Sequence, residues 1–187
     1  MGRGLLELCE AGCADAAGIA RVHVEGWLST YRGIVPDASL ARRSLERRAR
    51  FWSDVLCRAR REEAVHVAVD PAGQIVGFAS GGPRREGPAE YAGELYAIYL
   101  LPGARRRGLG RGLTVAVAHD RAARGLDSML LWVLADNCPA RGFYEALGGQ
   151  MVDRRRVDFD GVLLDEVAYG WHGEAFARLA ALADGGA

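Results

Sequence analysis

One stretch constrains this chain more than any other. A nearly continuous apolar run from Glu94 to Leu101 leads through Pro102, Gly103 and Ala104 into Arg105-Arg106-Arg107-Gly108-Leu109-Gly110-Arg111-Gly112, and a helical pattern begins at once. Such a run reads as a strand covered on both faces. The pattern that follows places Leu109, Leu113, Ala116 and Val117 on one side of a helix over 109–124. The start of a helix presents backbone N–H groups with no intrahelical acceptor and about half a positive charge, so it attracts phosphate oxygens. Glycine lets that backbone come close to an anion, and arginine adds charge-assisted hydrogen bonds. A pyrophosphate suits the arrangement. The alternative is a tight strand-to-helix turn with solvated arginines. The spacing Gly108-x-Gly110-x-Gly112 misses the GxGxxG of dinucleotide-binding turns.

The rest of the chain builds outward from this unit. A second apolar run, Ser128 to Leu134, completes a right-handed βαβ crossover with parallel strands. Upstream, Leu5 to Glu10 reads as an edge strand and Ala14 to Tyr31 as an amphipathic helix. Pro36 breaks the chain, and Asp37 would cap a second, arginine-rich helix over about 38–57. Ala64 to Val69 and Gln74 to Gly81 alternate as strands around the turn Asp70-Pro71-Ala72-Gly73, and Pro83 to Gly93 reads as a loop. Asn137 and Pro139 open a short helix that stops at Gly148-Gly149. Gln150 to Phe159 and Val162 to Trp171 flank Asp160-Gly161, a hairpin signal, and Glu174 to Leu182 is helical. The 187 residues suit one domain, with a core over about 4–171 and a tail over 172–187.

Composition excludes several chemistries. Every basic residue is arginine, so neither a Schiff-base lysine nor a Walker-type loop is available. Basic and acidic residues number 24 each, which gives no overall field for nucleic acid or anionic membrane. The arginines from Arg42 to Arg50 are interleaved with Glu46 and read as a solvated face. Cys9, Cys13, Cys57 and Cys138, like His23, His66, His119 and His172, lack the short spacing of a metal site, so no metal is expected. With no secretory signal and no membrane-length apolar run, a cytoplasmic protein with reduced thiols is expected.

Two motifs carry a resemblance. Arg105, Gly108 and Gly110 match the pattern Gln/Arg-x-x-Gly-x-Gly/Ala. Asn137-Cys138-Pro139-Ala140-Arg141-Gly142-Phe143-Tyr144, running on to Gly148, is similar to Asn-x-x-Ala-x-x-Phe-Tyr-x-x-x-Gly. In this order and at this separation they resemble the GNAT superfamily of N-acetyltransferases, closely over Glu94 to Gln150. Trp27-x-x-x-Tyr31-x-Gly33 with Pro36 is similar to one broad bacterial branch of it. The resemblance implies an α/β (α+β) GNAT fold. Its mixed, mostly antiparallel sheet has about seven strands, a splayed central parallel pair and helices on both faces. It implies acetyl-CoA as co-substrate. Pantetheine would lie along the strand edge at Ile98, Tyr99 and Leu100, and the pyrophosphate on Arg105, Arg106, Arg107, Gly108, Leu109 and Gly110. Arg111, Asn137, Arg141 and Tyr144 would stand close by. Asn137 can equally be a helix cap.

The implied reaction is direct attack of an amine on the acetyl thioester. An aliphatic amine of pKa about 10.4 must first lose a proton, so a base is expected. Glu94, at the start of the strand, is the candidate; a solvated strand-end carboxylate is the alternative. Tyr144 would protonate the departing thiolate, or else be an amphipathic core tyrosine. A backbone N–H near Ile98 or Tyr99 would hold the oxyanion. Trp27, Tyr31 and Glu25 would form the acceptor pocket for a cationic amine of a small molecule or peptide. Neither nucleic acid nor membrane is expected as a partner, and a homodimer is an open option. A non-catalytic acyl-CoA sensor on the same fold is the rival reading, and it would have no need of Tyr144.

Overall fold

A computed structural model describes residues 6–36, 44–58, 62–159 and 161–182. Seven strands form one sheet: β1 Glu7–Glu10, β2 Ala64–Val69, β3 Ile75–Pro83, β4 Gly93–Leu100, β5 Ser128–Leu134, β6 Gln150–Phe159 and β7 Val162–His172. Their order is β1-β2-β3-β4-β5-β7-β6. Every neighbouring pair is antiparallel except β4 with β5. On one face α1 (Ala16–Tyr31) and α2 (Leu45–Leu56) cover Val65, Val67, Ile75 and Phe78. On the other, α3 (Leu109–Ala123), α4 (Cys138–Ala146) and α5 (Glu174–Ala181) bury Leu95, Met129, Leu131, Val133, Tyr169 and Trp171. The expected sheet and its two helical layers are both present.

Two local expectations need correction. Among the described residues the second helix begins at Leu45, where the Ser44 hydroxyl accepts the Arg47 N–H at 3.3 Å. Asp37 and residues 38–43 lie outside the described residues. The thiols are not all free. Cys13, just before α1, and Cys57, at the end of α2, are joined in a disulfide with Cα atoms 5.1 Å apart. Sequence spacing hid this pair because 44 residues separate it, while α1–α2 packing brings it together. Cys9 and Cys138 are free and exposed.

The feature that positions the site is the parting of β4 from β5. They are paired only at Gly93 with Met129 and Glu94 with Leu130. β4 stays paired with β3 as far as Leu100. One irregularity interrupts that ladder: Gly81 faces Leu95 and Ser80 faces Ala97, so Tyr96 is an extra residue. The bulge resets the alternation of side chains. Leu95 and Ile98 pack with the α3 layer, whereas Ala97 and Tyr99 pack with the α1 layer.

Candidate active site

The turn from β4 into α3 is shaped by two left-handed residues, Arg106 with φ 58° and Gly108 with φ 81°. Glycine adopts that conformation freely, and an arginine there is unusual. Gly108 is the N-cap of α3, and no side chain caps the helix. Its carbonyl accepts the Gly112 N–H at 3.0 Å. The amides of Leu109, Gly110 and Arg111 are therefore left at the helix start without an acceptor among the described residues. Arg106, Arg107 and Arg111 are exposed around them. The Leu109 side chain is core, so it offers the site only its backbone.

Arg105 does something else. Its Nη2 donates to Ser29 Oγ at 2.6 Å and to Thr30 Oγ1 at 3.3 Å, and its Nε donates to the Leu100 carbonyl at 3.3 Å. It ties the loop to the end of α1. Of the other glycines, Gly110 faces Phe143 and Leu100, and a Cβ on Gly112 would run into Leu8. The second of these is a packing requirement.

The Leu101 N–H donates to the Val76 carbonyl at 2.9 Å, so that end of β4 addresses β3. Alternation then turns the main chain of Ile98 and Leu100 away from β3, toward the gap left by β5. Tyr99 is different. Its backbone faces β3, and its ring stacks on His23 with centroids 5.0 Å apart.

At the far side of the gap, Asn137 is buried and its Oδ1 accepts the Ala140 N–H at 3.3 Å, so it caps α4. Arg141 is turned inward. It donates to the Ala135 carbonyl at 3.0 Å and the Tyr169 hydroxyl at 3.2 Å, and Tyr169 in turn donates to Glu145. Tyr144 is 7 % exposed and lies edge-on to Phe143 and Trp171. Burial pushes its phenol well above the ordinary tyrosine range, and the nearby Tyr31 adds to the shift. The hydroxyl therefore keeps its proton at any ordinary pH and is available as a donor.

Glu94 occupies the last rung at which β4 and β5 are joined, and it is 4 % exposed. It is not a solvated strand-end carboxylate. Arg85, from the loop after β3, donates its main-chain N–H to Oε2 at 2.8 Å, and its Nη2 and Nε to Oε1 at 2.6 and 3.2 Å. The Arg85 guanidinium also lies 3.8 Å from the Tyr96 ring centroid. A second arginine makes a parallel attachment nearby. Arg155 lies 4.0 Å over Trp132 and pairs with Glu166 at 2.8 Å and with Glu86. Neither attachment is specified by a motif within its own segment. The only local signal was charge in the 83–93 loop beside a strand with period two.

Of the residues expected at the acceptor, two are brought together. Trp27 lies 4.3 Å from Tyr31 and stacks on Phe159 at 5.4 Å, with Leu134, Val157 and Leu164 beside them. Glu25 does not join that wall. It is exposed, about 200° around α1 from Trp27, and pairs with Arg21 at 3.7 Å. Among the described residues, no three His, Cys, Asp or Glu side chains gather as a metal site, and no helix is long and apolar enough to cross a membrane.

Comparison with known proteins converges on one activity. A family model described as FR47-like protein matches residues 87–157. The uncharacterized N-acetyltransferase YuaI of Bacillus subtilis (strain 168) is 38% identical over 162 residues, covering 87% of this chain and 90% of that protein. The mycothiol acetyltransferase of Nocardioides sp. is 38% identical over 94 residues, which is 46% of this chain and 31% of the relative. The chain thus spans about a third of that relative's length. In fold it is similar to the PaiA N-acetyltransferase of Thermoplasma acidophilum, solved in complex with coenzyme A. That likeness has a TM-score of 0.70 at 19% identity and covers 88% of this chain and 98% of that one.

Proposed function

The chain belongs to the GNAT superfamily of acetyl-CoA-dependent N-acetyltransferases, and on that premise we propose that it acetylates the primary amine of a small molecule or peptide by direct attack in a ternary complex. The observation that carries the reading is the uncapped start of α3 beside the parted strands β4 and β5. Free amides of Leu109, Gly110 and Arg111, with Arg106 and Arg107 around them, suit a pyrophosphate. The main-chain groups of Ile98 and Leu100 suit the amides of a pantetheine arm laid along β4.

In this reading Glu94 takes the proton from the acceptor ammonium, and the freed lone pair forms the bond to the acetyl carbon. The backbone N–H of Ile98, turned away from β3, holds the oxyanion. As the carbon–sulfur bond breaks, the Tyr144 hydroxyl protonates the leaving thiolate, and the phenolate left behind takes back the surplus proton of the acetylated nitrogen. The raised pKa of Tyr144 supports a phenol that arrives with its proton in place. Asn137 caps α4 and Arg141 ties it to the Ala135 carbonyl, which supports a fixed Tyr144, and Trp27, Tyr31 and Phe159 would form an apolar, electron-rich wall for the acceptor.

The test is thiol release from acetyl-CoA in the presence of benzylamine, 1,6-diaminohexane, glycinamide and an alanine-led tripeptide. At least one should be turned over, and Tyr144→Phe should lower kcat by about 100-fold while the Kd for acetyl-CoA stays within about twofold. Binding of acetyl-CoA with no turnover of any amine would point to a sensor. Unchanged kcat in the variant would remove Tyr144 from the chemistry.

A further inference from the structure

We propose that Arg85 is a positioning residue for the reaction: it fixes the one Glu94 oxygen that receives the acceptor's proton, and it links that carboxylate to the 84–92 loop. The proposal rests on the reading of Glu94 as base. An ionised carboxylate offers about four acceptor positions, two on each oxygen. Arg85 fills three of them. Its Nη2 and Nε both donate to Oε1, and its own main-chain N–H donates to Oε2. Oε1 is thereby saturated, and a single lone pair on Oε2 remains for a proton. Charge-assisted bonds of this kind hold geometry tightly, and Glu94 is 4 % exposed, so few waters compete for its oxygens.

The Arg85 side chain is exposed apart from Glu94 and one aromatic face, and its neighbours in the loop are tied down. Its guanidinium lies on the Tyr96 ring, and the Tyr96 hydroxyl donates to the Pro83 carbonyl at 2.6 Å. The loop is closed at its base by the Arg84 N–H on the Ala92 carbonyl at 2.8 Å. One residue further on, Glu86 is gripped by Arg155, which leans on Trp132 of β5 and on Glu166 of β7. The loop is thus fastened to β4 at one point and to the β5–β7–β6 half of the sheet at the next. A mere tether would need only one fastening and would have no reason to place two donors on a single carboxylate oxygen. The proton step is simple: the acceptor's N–H bond breaks, an O–H bond forms at Oε2, and the electron pair stays on nitrogen.

A double-mutant cycle on the full chain tests this, using whichever amine of the four above is turned over fastest. Arg85→Ala should lower kcat by about tenfold or more, leave the Kd for acetyl-CoA within about twofold, and be partly rescued by Arg85→Lys. Glu94→Gln should lower kcat by about 100-fold. With Gln at 94, the further change Arg85→Ala should alter kcat by less than about twofold, because what it positions is gone. Equal losses in the two backgrounds, or unchanged kcat in Arg85→Ala, would overturn the positioning role while leaving Glu94 as base. Full activity of Glu94→Gln would overturn the base reading itself, and with it this proposal. Melting curves of all variants separate these outcomes from loss of fold, and Arg85→Lys serves if Arg85→Ala unfolds.

Discussion

Arg121 shows that charge alone does not identify a functional arginine. It is 1 % exposed on the sheet side of α3, and its Nε and Nη2 have no acceptor among the described residues. Burial accordingly lowers its pKa, with the neighbouring Arg124 acting in the same direction. A buried charge without hydrogen bonds costs stability, whereas an apolar chain of similar length has no such cost. Arg121→Met should therefore stabilise the fold by roughly 1–3 kcal/mol. For a chain of this size that is about 2–4 °C in Tm per kcal/mol, and urea unfolding with thermal melting would measure it. A lowered Tm would mean that the guanidinium supports the fold. Arg85, Arg105 and Arg141 behave otherwise, because the guanidinium of each has at least one acceptor within reach.

Within the elements, the turn into α3 carries the clearest prediction. Gly108 sits at φ 81°, where a side chain costs about 1–2 kcal/mol and a β-branched one more. A Cβ there would meet nothing within 4 Å, so Gly108→Val acts on the backbone path and not through a clash. It should weaken acetyl-CoA about tenfold or more by titration calorimetry; an unchanged Kd would count against the turn as the diphosphate site. This turn, α3 and the capped start of α4 were legible in the sequence because all their determinants lie within a few neighbouring positions. The seven strands were legible for the same reason, through alternation and turn residues. What escaped notice joins distant segments. Arg105 reaches Ser29 across 76 positions, and Cys13 meets Cys57 across 44. The bulge at Tyr96 depends on register with β3, which alternation within β4 does not encode. Glu25 stands apart from Trp27 because proximity in sequence is not proximity on a helix face.

Taken whole, the molecule keeps Tyr91, Tyr96 and Tyr144 protonated more firmly than an unfolded chain does. Burial raises Tyr144 and Tyr91, and pushes Tyr96 up to about 12. A raised folded pKa contributes stability that is complete below the unfolded value near 10 and is lost as pH climbs through the folded one. Unfolding free energy should therefore fall between about pH 10 and about 12, the window set by Tyr96. Urea titrations across that range should show the decline, and Tyr144→Phe should make it shallower. A flat profile would mean that these phenols ionise as easily in the folded chain as in the unfolded one.

The brief union of β4 and β5 has a mechanical consequence. Two plates riveted at one end swing like scissors: the blades shift least beside the pin and most at the tips. Glu94 is at the pin, and Leu100 is six residues out, roughly 20 Å along the strand. On the proposed reading, flexing therefore disturbs least the end where Glu94 would act and most the open end, where the long arm of the co-substrate would enter.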